Sequence, residues 1–361
     1  KFEEIMFSKK VALVAAVAVV ALVGTVCVFA PESTELFRAH GPILRSPVDM
    51  AWRMWKVQHG KTYGGPEEQS RFAVFKMNYD IVQQHNAQGK NYTLGLNQFA
   101  DLTNKEFAAL YLGASTAMMN ASNTCETPNS TVGAISVADT LDWRTEGRVG
   151  PVKDQGQCGS CWAFSTVGAI EGLHSVVKGN LYDLAEQELV DCSGSYGNQG
   201  CNGGLMDYGF QYAIDNKGLA TEKAYPYTAA DGDCQTVSQR FGAISKFTDV
   251  TASSKDALIA ALSQQPVSVA IEADTETFQS YSDGVITDYD GCGTQLDHGV
   301  VAVGFNTKAS GETPAYYIVR NSWGTSWGEN GHVRLAIIDD SVNSGAGMCG
   351  IQLAASYPSA Q

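Results

Sequence analysis

Gln155-Gly156-Gln157-Cys158-Gly159-Ser160-Cys161-Trp162-Ala163-Phe164-Ser165 is the stretch on which the fold turns. A glycine-rich turn gives way to an apolar helical run at Cys161. The first turn of a helix leaves backbone N–H groups unpaired and carries the positive end of the dipole. Both favour thiolate over thiol, and the thiolate is the nucleophile. The same donors can hold a developing oxyanion. Gln155 lies six residues earlier, so its side-chain amide is the candidate second donor.

A thiolate needs a proton partner, and three histidines lie beyond residue 137. His298, in Leu296-Asp297-His298-Gly299-Val300-Val301, opens a predicted strand, a rigid place from which to face another lobe. His174 stands thirteen residues along the helix that starts at Cys161, about three turns away, and cannot reach it. His332 reads as a surface or packing residue. An imidazole beside a thiolate needs a third group to fix its tautomer. Asn321-Ser322-Trp323-Gly324 supplies an amide oxygen, with Trp323 placed to shield that bond from water and counted among the substrate-contacting side chains.

At 361 residues the chain has room for two or three domains. It is 44% hydrophobic and 17% charged, which excludes an intrinsically disordered chain, a collagen, a coiled coil and a multispan membrane protein. A formal net charge of -14 argues against nucleic acid as a partner. The charge is uneven: residues 1–136 carry 12 Lys+Arg and 11 Asp+Glu, residues 137–361 carry 12 and 27. Two of the nine cysteines, Cys27 and Cys125, precede the division and seven follow it. Seven suits disulfide pairs plus one free thiol, in an oxidising compartment.

Residues 1–30 hold a run of twenty uncharged residues, Val11 to Ala30, behind Lys9 and Lys10. It reads as a secretory signal or as a retained signal anchor, the latter being the one route to a membrane. Val28-Phe29-Ala30 suits cleavage, Pro31 hinders it, and Met6 is a candidate start. Helical spacing follows over Val48–His59, with Met50, Met54 and Val57, and over Glu67–Asn86, with Phe72, Phe75, Tyr79 and Val82. Gly95–Phe99 reads as a turn and short strand. Residues 113–136 are small and polar, a linker. Asn91, Asn120 and Asn129 head glycosylation sequons. Beyond the linker, Ser160–Lys178 and Leu205–Lys217 fit helices, the second stopped by Gly218. Strand-like runs then cover Gln265–Ile271, Gly299–Phe305, Tyr316–Arg320 and His332–Ile337.

The blocks around Cys161, His298 and Asn321 resemble the three active-site blocks of papain-like cysteine proteases, in the same order and across essentially all of residues 137–361. His298 follows Cys161 by 137 residues and Asn321 by 160. The second interval is slightly long, and Asn306–Thr313 reads as a loop extension. The resemblance implies an α+β, two-lobed fold, with a helical lobe around 143–235, a β-barrel lobe around 240–340 and the cleft between them. It implies Cys161 as nucleophile, His298 as its acid–base partner, Asn321 as the orienting group and Gln155 as oxyanion donor. It implies disulfides Cys158–Cys201, Cys192–Cys234 and Cys292–Cys349, leaving Cys161 free. Cys125 has no evident partner.

Upstream, Glu67, Arg71, Val74, Phe75, Asn78, Val82 and Asn86 resemble the spaced ERFNIN helix of cathepsin L-type propeptides, with Val82 in place of isoleucine. Gly95, Asn97, Phe99 and Asp101 match that family's second motif. The resemblance implies an inhibitory prodomain over residues 31–112 whose tail runs backward through the cleft. Processing is expected within 113–139, just before Leu141. The charge division suggests release near pH 4–5, where ordinary carboxylates begin to titrate.

Cys201-Asn202-Gly203-Gly204-Leu205-Met206 looks like the family's substrate-binding strand, its glycines leaving backbone open to an extended peptide. Leu205, Met206, Ala270, Leu296 and Ala354 match the lining of the pocket for the residue two before the scissile bond. All are apolar, which predicts Leu, Phe or Val there. No adjacent histidines and no spare cysteine point to an exopeptidase variant, so endopeptidase is the reading. A transpeptidase on the same site and a non-catalytic binding protein of this fold are the alternatives. The resemblance further implies protein and peptide substrates, the propeptide as inhibitor, cystatin-type inhibitors, a monomer, and a lysosome- or vacuole-like or secreted location. No metal or cofactor is implied: Cys158 and Cys161 have CxxC spacing but no second ligand pair follows.

Overall fold

The computed structural model describes residues 46–113 and 138–360. The segment Val11–Ala30, Cys125 and the sequons at Asn120 and Asn129 lie outside them. Among the described residues no helix is long and apolar enough to cross a membrane.

Helix α1 (Pro47–Gln58) opens on a capping box between Ser46 and Asp49. It packs on α2 (Gly65–Asn86) through Trp52 and Trp55, whose rings lie 5.0 and 5.3 Å from that of Phe75. The helix stands where the spacing predicts, but its buried face is the other one. Met50, Met54 and Val57 are 54, 71 and 85% exposed. Two apolar stripes compete on α1, and the tryptophans win with the larger buried area and two satisfied indole N–H groups, Trp52 on Glu68 and Trp55 on the Asn97 carbonyl.

Strand β1 is Tyr92–Leu94, earlier than the predicted Gly95–Phe99, which is a turn. Asn97 explains it: its side-chain oxygen takes the Phe99 N–H at 3.0 Å and its amide donates to the Gln279 carbonyl at 2.7 Å, folding the chain back. Helix α3 (Asn104–Tyr111) starts on a Thr103–Glu106 capping box.

In the second region β2 (Thr140–Asp142) precedes α4 (Cys161–Lys178), which ends at Gly179 with φ 71°. Helices α5 (Glu186–Cys192) and α6 (Met206–Asp215) complete the helical lobe. There follow β3 (Ile244–Asp249), α7 (Lys255–Leu262), β4 (Val267–Ile271), α8 (Glu276–Gln279), β5 (Tyr281–Ile286), β6 (His298–Asn306), β7 (Tyr316–Arg320), β8 (His332–Ala336) and β9 (Ala355–Ala360). The sheet runs β1-β5-β8-β7-β6-β4-β9-β3, with β2 also on β6. Among the described residues only β5 and β8 pair in parallel. The expected barrel is an open sheet. At one end β1, from the region before residue 113, caps β5. At the other, β3 turns toward the helical lobe, where Phe247 meets Phe210 of α6 at 5.7 Å. The loop extension after Asn306 is the β6–β7 connection, closed by a Ser310–Thr313 bridge.

Candidate active site

Cys161 is the first residue of α4, and its side chain is fully buried. Cys158–Cys201, Cys192–Cys234 and Cys292–Cys349 are bonded, which leaves Cys161 as the free cysteine among the described residues. The backbone N–H of Gly299 donates to its sulfur at 3.4 Å. His298, at the head of β6, is therefore brought beside Cys161 from the opposite lobe. Its Nε2 lies 2.8 Å from Asn321 Oδ1, and its Nδ1 is buried with no partner. Trp323 stacks on the imidazole at 4.6 Å. Gln155 is held in a set orientation: Ser322 donates to its Oε1 at 2.7 Å, which turns Nε2 inward to the Cys158 carbonyl at 2.8 Å.

A second peptide segment occupies this place. The Tyr111 carbonyl accepts from Gln155 Nε2 at 2.9 Å. The Gly113 backbone hydrogen-bonds Cys161, and its carbonyl accepts the Gly204 N–H at 2.9 Å. Gly113 fits because it has no side chain: a Cβ there would stand 1.9 Å from the Gly159 carbonyl oxygen. Gly203, with φ 119°, is equally tight, its Cβ position lying 2.2 Å from the Gly113 oxygen. Phe99 and Phe107 close over the outer side of Trp323 at 5.6 and 5.0 Å, so Trp323 is a wall behind His298 and fully buried here.

This cover sets the protonation. Burial pushes the Cys161 thiol up to about 11, against backbone hydrogen bonds from Gly299 and Gly113 that pull it down. Burial also lowers His298 to about 4, against the Asn321 bond. The covered site thus holds a neutral thiol and a neutral imidazole, where the helix N-terminus alone predicts a thiolate: desolvation outweighs the dipole.

Of the five predicted pocket residues, Met206, Ala270 and Leu296 share one apolar cluster with Trp162, and Ala354 packs against it. Leu205 is buried just before α6, its N–H on Asn198. In the region before residue 113, Arg71 reaches Glu106 and the Asp101 carbonyl, Phe75 and Val82 are core, and Asn78 donates to the Ala100 and Leu102 carbonyls. Asn86 exchanges two 2.9 Å bonds with Leu94, and Gly95 comes close enough to Ser282 that a Cβ would touch it at 3.2 Å. Asp101 is buried with Lys61 and Tyr63. Glu67 is the exception: it is exposed, and Glu68 takes the contacts with Trp52 and Lys56. Neither His174, on the Ala243 carbonyl, nor His332, on Asn330, is part of the site.

A family model for papain family cysteine proteases matches residues 137–359, and one for the cathepsin propeptide inhibitor domain matches residues 52–107. The chain belongs to the papain family of cysteine proteases. Probable cysteine protease RD21B of Arabidopsis thaliana is 48% identical over 321 residues, 87% of this chain and 67% of that protein. Germination-specific cysteine protease 1 of the same plant is 46% identical over 338 residues, 87% and 88% of the two chains. The structure of digestive procathepsin L 3 from Tenebrio molitor larval midgut superposes with a TM-score of 0.76 at 39% identity, covering 87% of this chain and all of that one. This papain-family zymogen therefore carries its propeptide domain in the same chain.

Some residues of the site were not foreseen. Tyr111 and Gly113 act through backbone and leave no side-chain signal. Lys153 bonds Glu186 at 2.9 Å, lies 3.7 Å from Glu171, and both carboxylates are buried. Arg320 joins them, as the one charge ending the apolar strand β7, and that position was the available clue.

Proposed function

We propose that the chain is an endopeptidase whose Cys161 attacks the substrate carbonyl, with His298 as acid–base partner, Asn321 orienting the imidazole, and Gln155 Nε2 with the Cys161 N–H holding the oxyanion. The observation that carries this is the chain's own segment 111–113, a peptide lying at once on the free thiol, the Gln155 amide and the Gly204 backbone. A substrate would meet Gly204 with the residue two before the bond and Gln155 with the later carbonyl. Segment 111–113 meets them in the reverse order, so it occupies the cleft without presenting a bond. Once it leaves, His298 Nδ1 is the ring nitrogen free to take the Cys161 proton and return it to the leaving amine. Water then hydrolyses the acyl-enzyme. The apolar cluster of Met206, Ala270, Leu296 and Ala354 favours Leu, Phe or Val two before the bond, by about 1–3 kcal/mol per well-buried group.

The same reading has the propeptide released in acid, in a lysosome- or vacuole-like or secreted setting, by a monomer open to cystatin-type inhibitors. Lys90 with Asp288 and Asp290 is the one ionic contact between prodomain and protease among the described residues, so general charge attraction is not the lever that net charge suggested. His298 is a better one. Its ordinary value is 6.5 and the covered value about 4, so the covered state is favoured above pH 6.5 and loses that advantage as pH falls toward 4. Within the expected range of 113–139, this reading favours processing upstream of Asp139. Its carbonyl already accepts the Thr307 N–H, and a cut before Leu141 would have to open the Thr140–Asn306 pair.

The test is cleavage of a fluorogenic peptide with Phe or Leu two before the bond, at pH 5 with dithiothreitol, by acid-treated wild type and Cys161→Ser. Thiol-dependent activity lost in the variant is expected. Activity that survives Cys161→Ser would overturn the assignment.

A further inference from the structure

Tyr227, in Tyr225-Pro226-Tyr227, belongs to none of the active-site blocks, yet its hydroxyl touches two of their supports. It donates to the Gln155 carbonyl at 2.8 Å and meets the Ser160 hydroxyl at 2.6 Å. Ser160 is the N-cap of α4, one residue before Cys161. With the phenol proton on Gln155, the serine proton points to the phenol oxygen, and both groups are satisfied.

The tyrosine is itself fixed. Its ring stands edge-on to Phe164 at 4.9 Å, and its backbone N–H bonds Glu222 at 2.8 Å. Burial holds the phenol above its ordinary value, so it stays a donor at any working pH. The loop it opens braces the same turn twice more. A Cβ at Gly156 would stand 3.2 Å from the Ala229 methyl. Asp231 accepts the Cys201 N–H at 2.7 Å, and Cys201 is bonded to Cys158. Residues 155–158 are thus held from one side by Ser322 and from the other by this loop.

We propose that Tyr227 is a positioning residue of the reaction: its hydroxyl fixes the Gln155 main chain against the N-cap of α4, and so sets the separation between oxyanion donor and nucleophile. The inference rests on the reading of Cys161 and Gln155 given above. Tyr227 acts through Gln155, so its removal should harm only steps that form an oxyanion.

The processed enzyme carrying Tyr227→Phe separates these cases. Peptide hydrolysis forms an oxyanion; alkylation of Cys161 by iodoacetamide does not. One lost hydrogen bond corresponds to a drop in kcat/KM of about tenfold, with alkylation changed less than about twofold. In a Gln155→Ala background the same substitution should cost less than about twofold, because the group it positions is gone. Unchanged hydrolysis, a parallel fall in alkylation, or a full tenfold cost in the Gln155→Ala background would each overturn the inference. Gln155→Ala alone leaving hydrolysis intact would instead overturn the catalytic reading. If Tyr227→Phe does not fold, Ser160→Ala removes the other end of the bridge. A drop in hydrolysis without a drop in alkylation then supports the proposal, and no drop overturns it.

Discussion

The prodomain and the protease domain are held together in opposite ways. The protease domain is closed by three disulfides and an apolar core that fills both lobes. The described part of the prodomain has no disulfide; it packs a small aromatic cluster around Trp52, Trp55 and Phe75, and its Val82, Tyr92, Leu94, Phe99, Leu102 and Phe107 join the protease core. It leans on internal ion pairs instead: Lys56–Glu68, Lys61–Asp101 and Arg71–Glu106. Where the two meet, the contacts are mostly neutral. Asn97 donates to the Gln279 carbonyl, Gln98 to the Trp323 carbonyl, and Phe99 and Phe107 lie on Trp323. An inhibitor built on ionic contacts inside and neutral ones outside offers acid two separate targets, its own ion pairs and the buried His298 that segment 111–113 covers.

The largest effect should come from inside the prodomain. Asp101 is buried, pairs with Lys61 at 3.1 Å and accepts from Tyr63. Asp101→Ala removes the partner of a half-exposed lysine and a half-buried phenol, at a cost of about 1–3 kcal/mol. On a Cys161→Ser background, which cannot cut itself, the prodomain should melt well below the protease domain, seen as a separate first calorimetric transition. A single unshifted transition would mean that the prodomain's stability comes from docking and not from its own ion pairs.

Cover of the site comes next. Gly113→Val leaves the prodomain interior untouched but puts side-chain atoms where a Cβ alone would lie 1.9 Å from the Gly159 oxygen. Segment 111–113 must lift. The zymogen should process itself at neutral pH at least about tenfold faster, a change of about 1.4 kcal/mol in cover, while the prodomain melting point stays put. If processing is unchanged, segment 111–113 is not what silences the thiol.

These two regions were not equally legible in the sequence. Cys161, His298, Asn321 and Gln155 could be read because each sits in a sequence block that carries the family resemblance, and the structure gathers those blocks at one place. Helices α1, α2, α4 and α6 and strands β4, β6, β7 and β8 followed from apolar spacing, whereas the short helices α3, α5, α7 and α8 and strands β1, β2, β3, β5 and β9 did not. The buried face of α1 did not, because Met50, Met54 and Val57 repeat as well as Trp52 and Trp55 do. Gly113 gave no sign, since its role is the absence of a side chain at a spot defined only by folding. Tyr227 was hidden for a related reason: nothing in Tyr-Pro-Tyr says that a hydroxyl 72 residues on will find the Gln155 carbonyl.

Acid should separate the regions by degree. The Lys56 contact lowers Glu68 below its ordinary 4.5. For Glu106 burial pushes upward, but Thr103 and Arg71 outweigh it. Both groups stabilise the prodomain fully above pH 4.5, and that contribution is lost as pH falls through their lowered values. His298 acts earlier, between pH 6.5 and about 4. Hydrogen exchange on Cys161→Ser should therefore show segment 111–113 loosening first as pH drops, and α1 and α2 only below pH 4.5. Simultaneous loosening would merge the two steps and remove His298 as the earlier trigger.

The smallest effect is the most diagnostic of the neutral interface. Lys90 reaches Asp288 at 3.1 Å and Asp290 at 3.0 Å, the one ionic bridge between the regions among the described residues. Asp290 is largely exposed, so solvent screens much of the attraction. Lys90→Met should weaken docking by no more than about 1 kcal/mol, a fewfold change in the rate of self-processing at pH 7 and less still in high salt. The neighbouring Tyr92–Asp288 bond and the β1–β5 pairing stay in place. A hundredfold change would mean that one surface charge carries the docking, and the contrast between an ionic interior and a neutral interface would collapse with it.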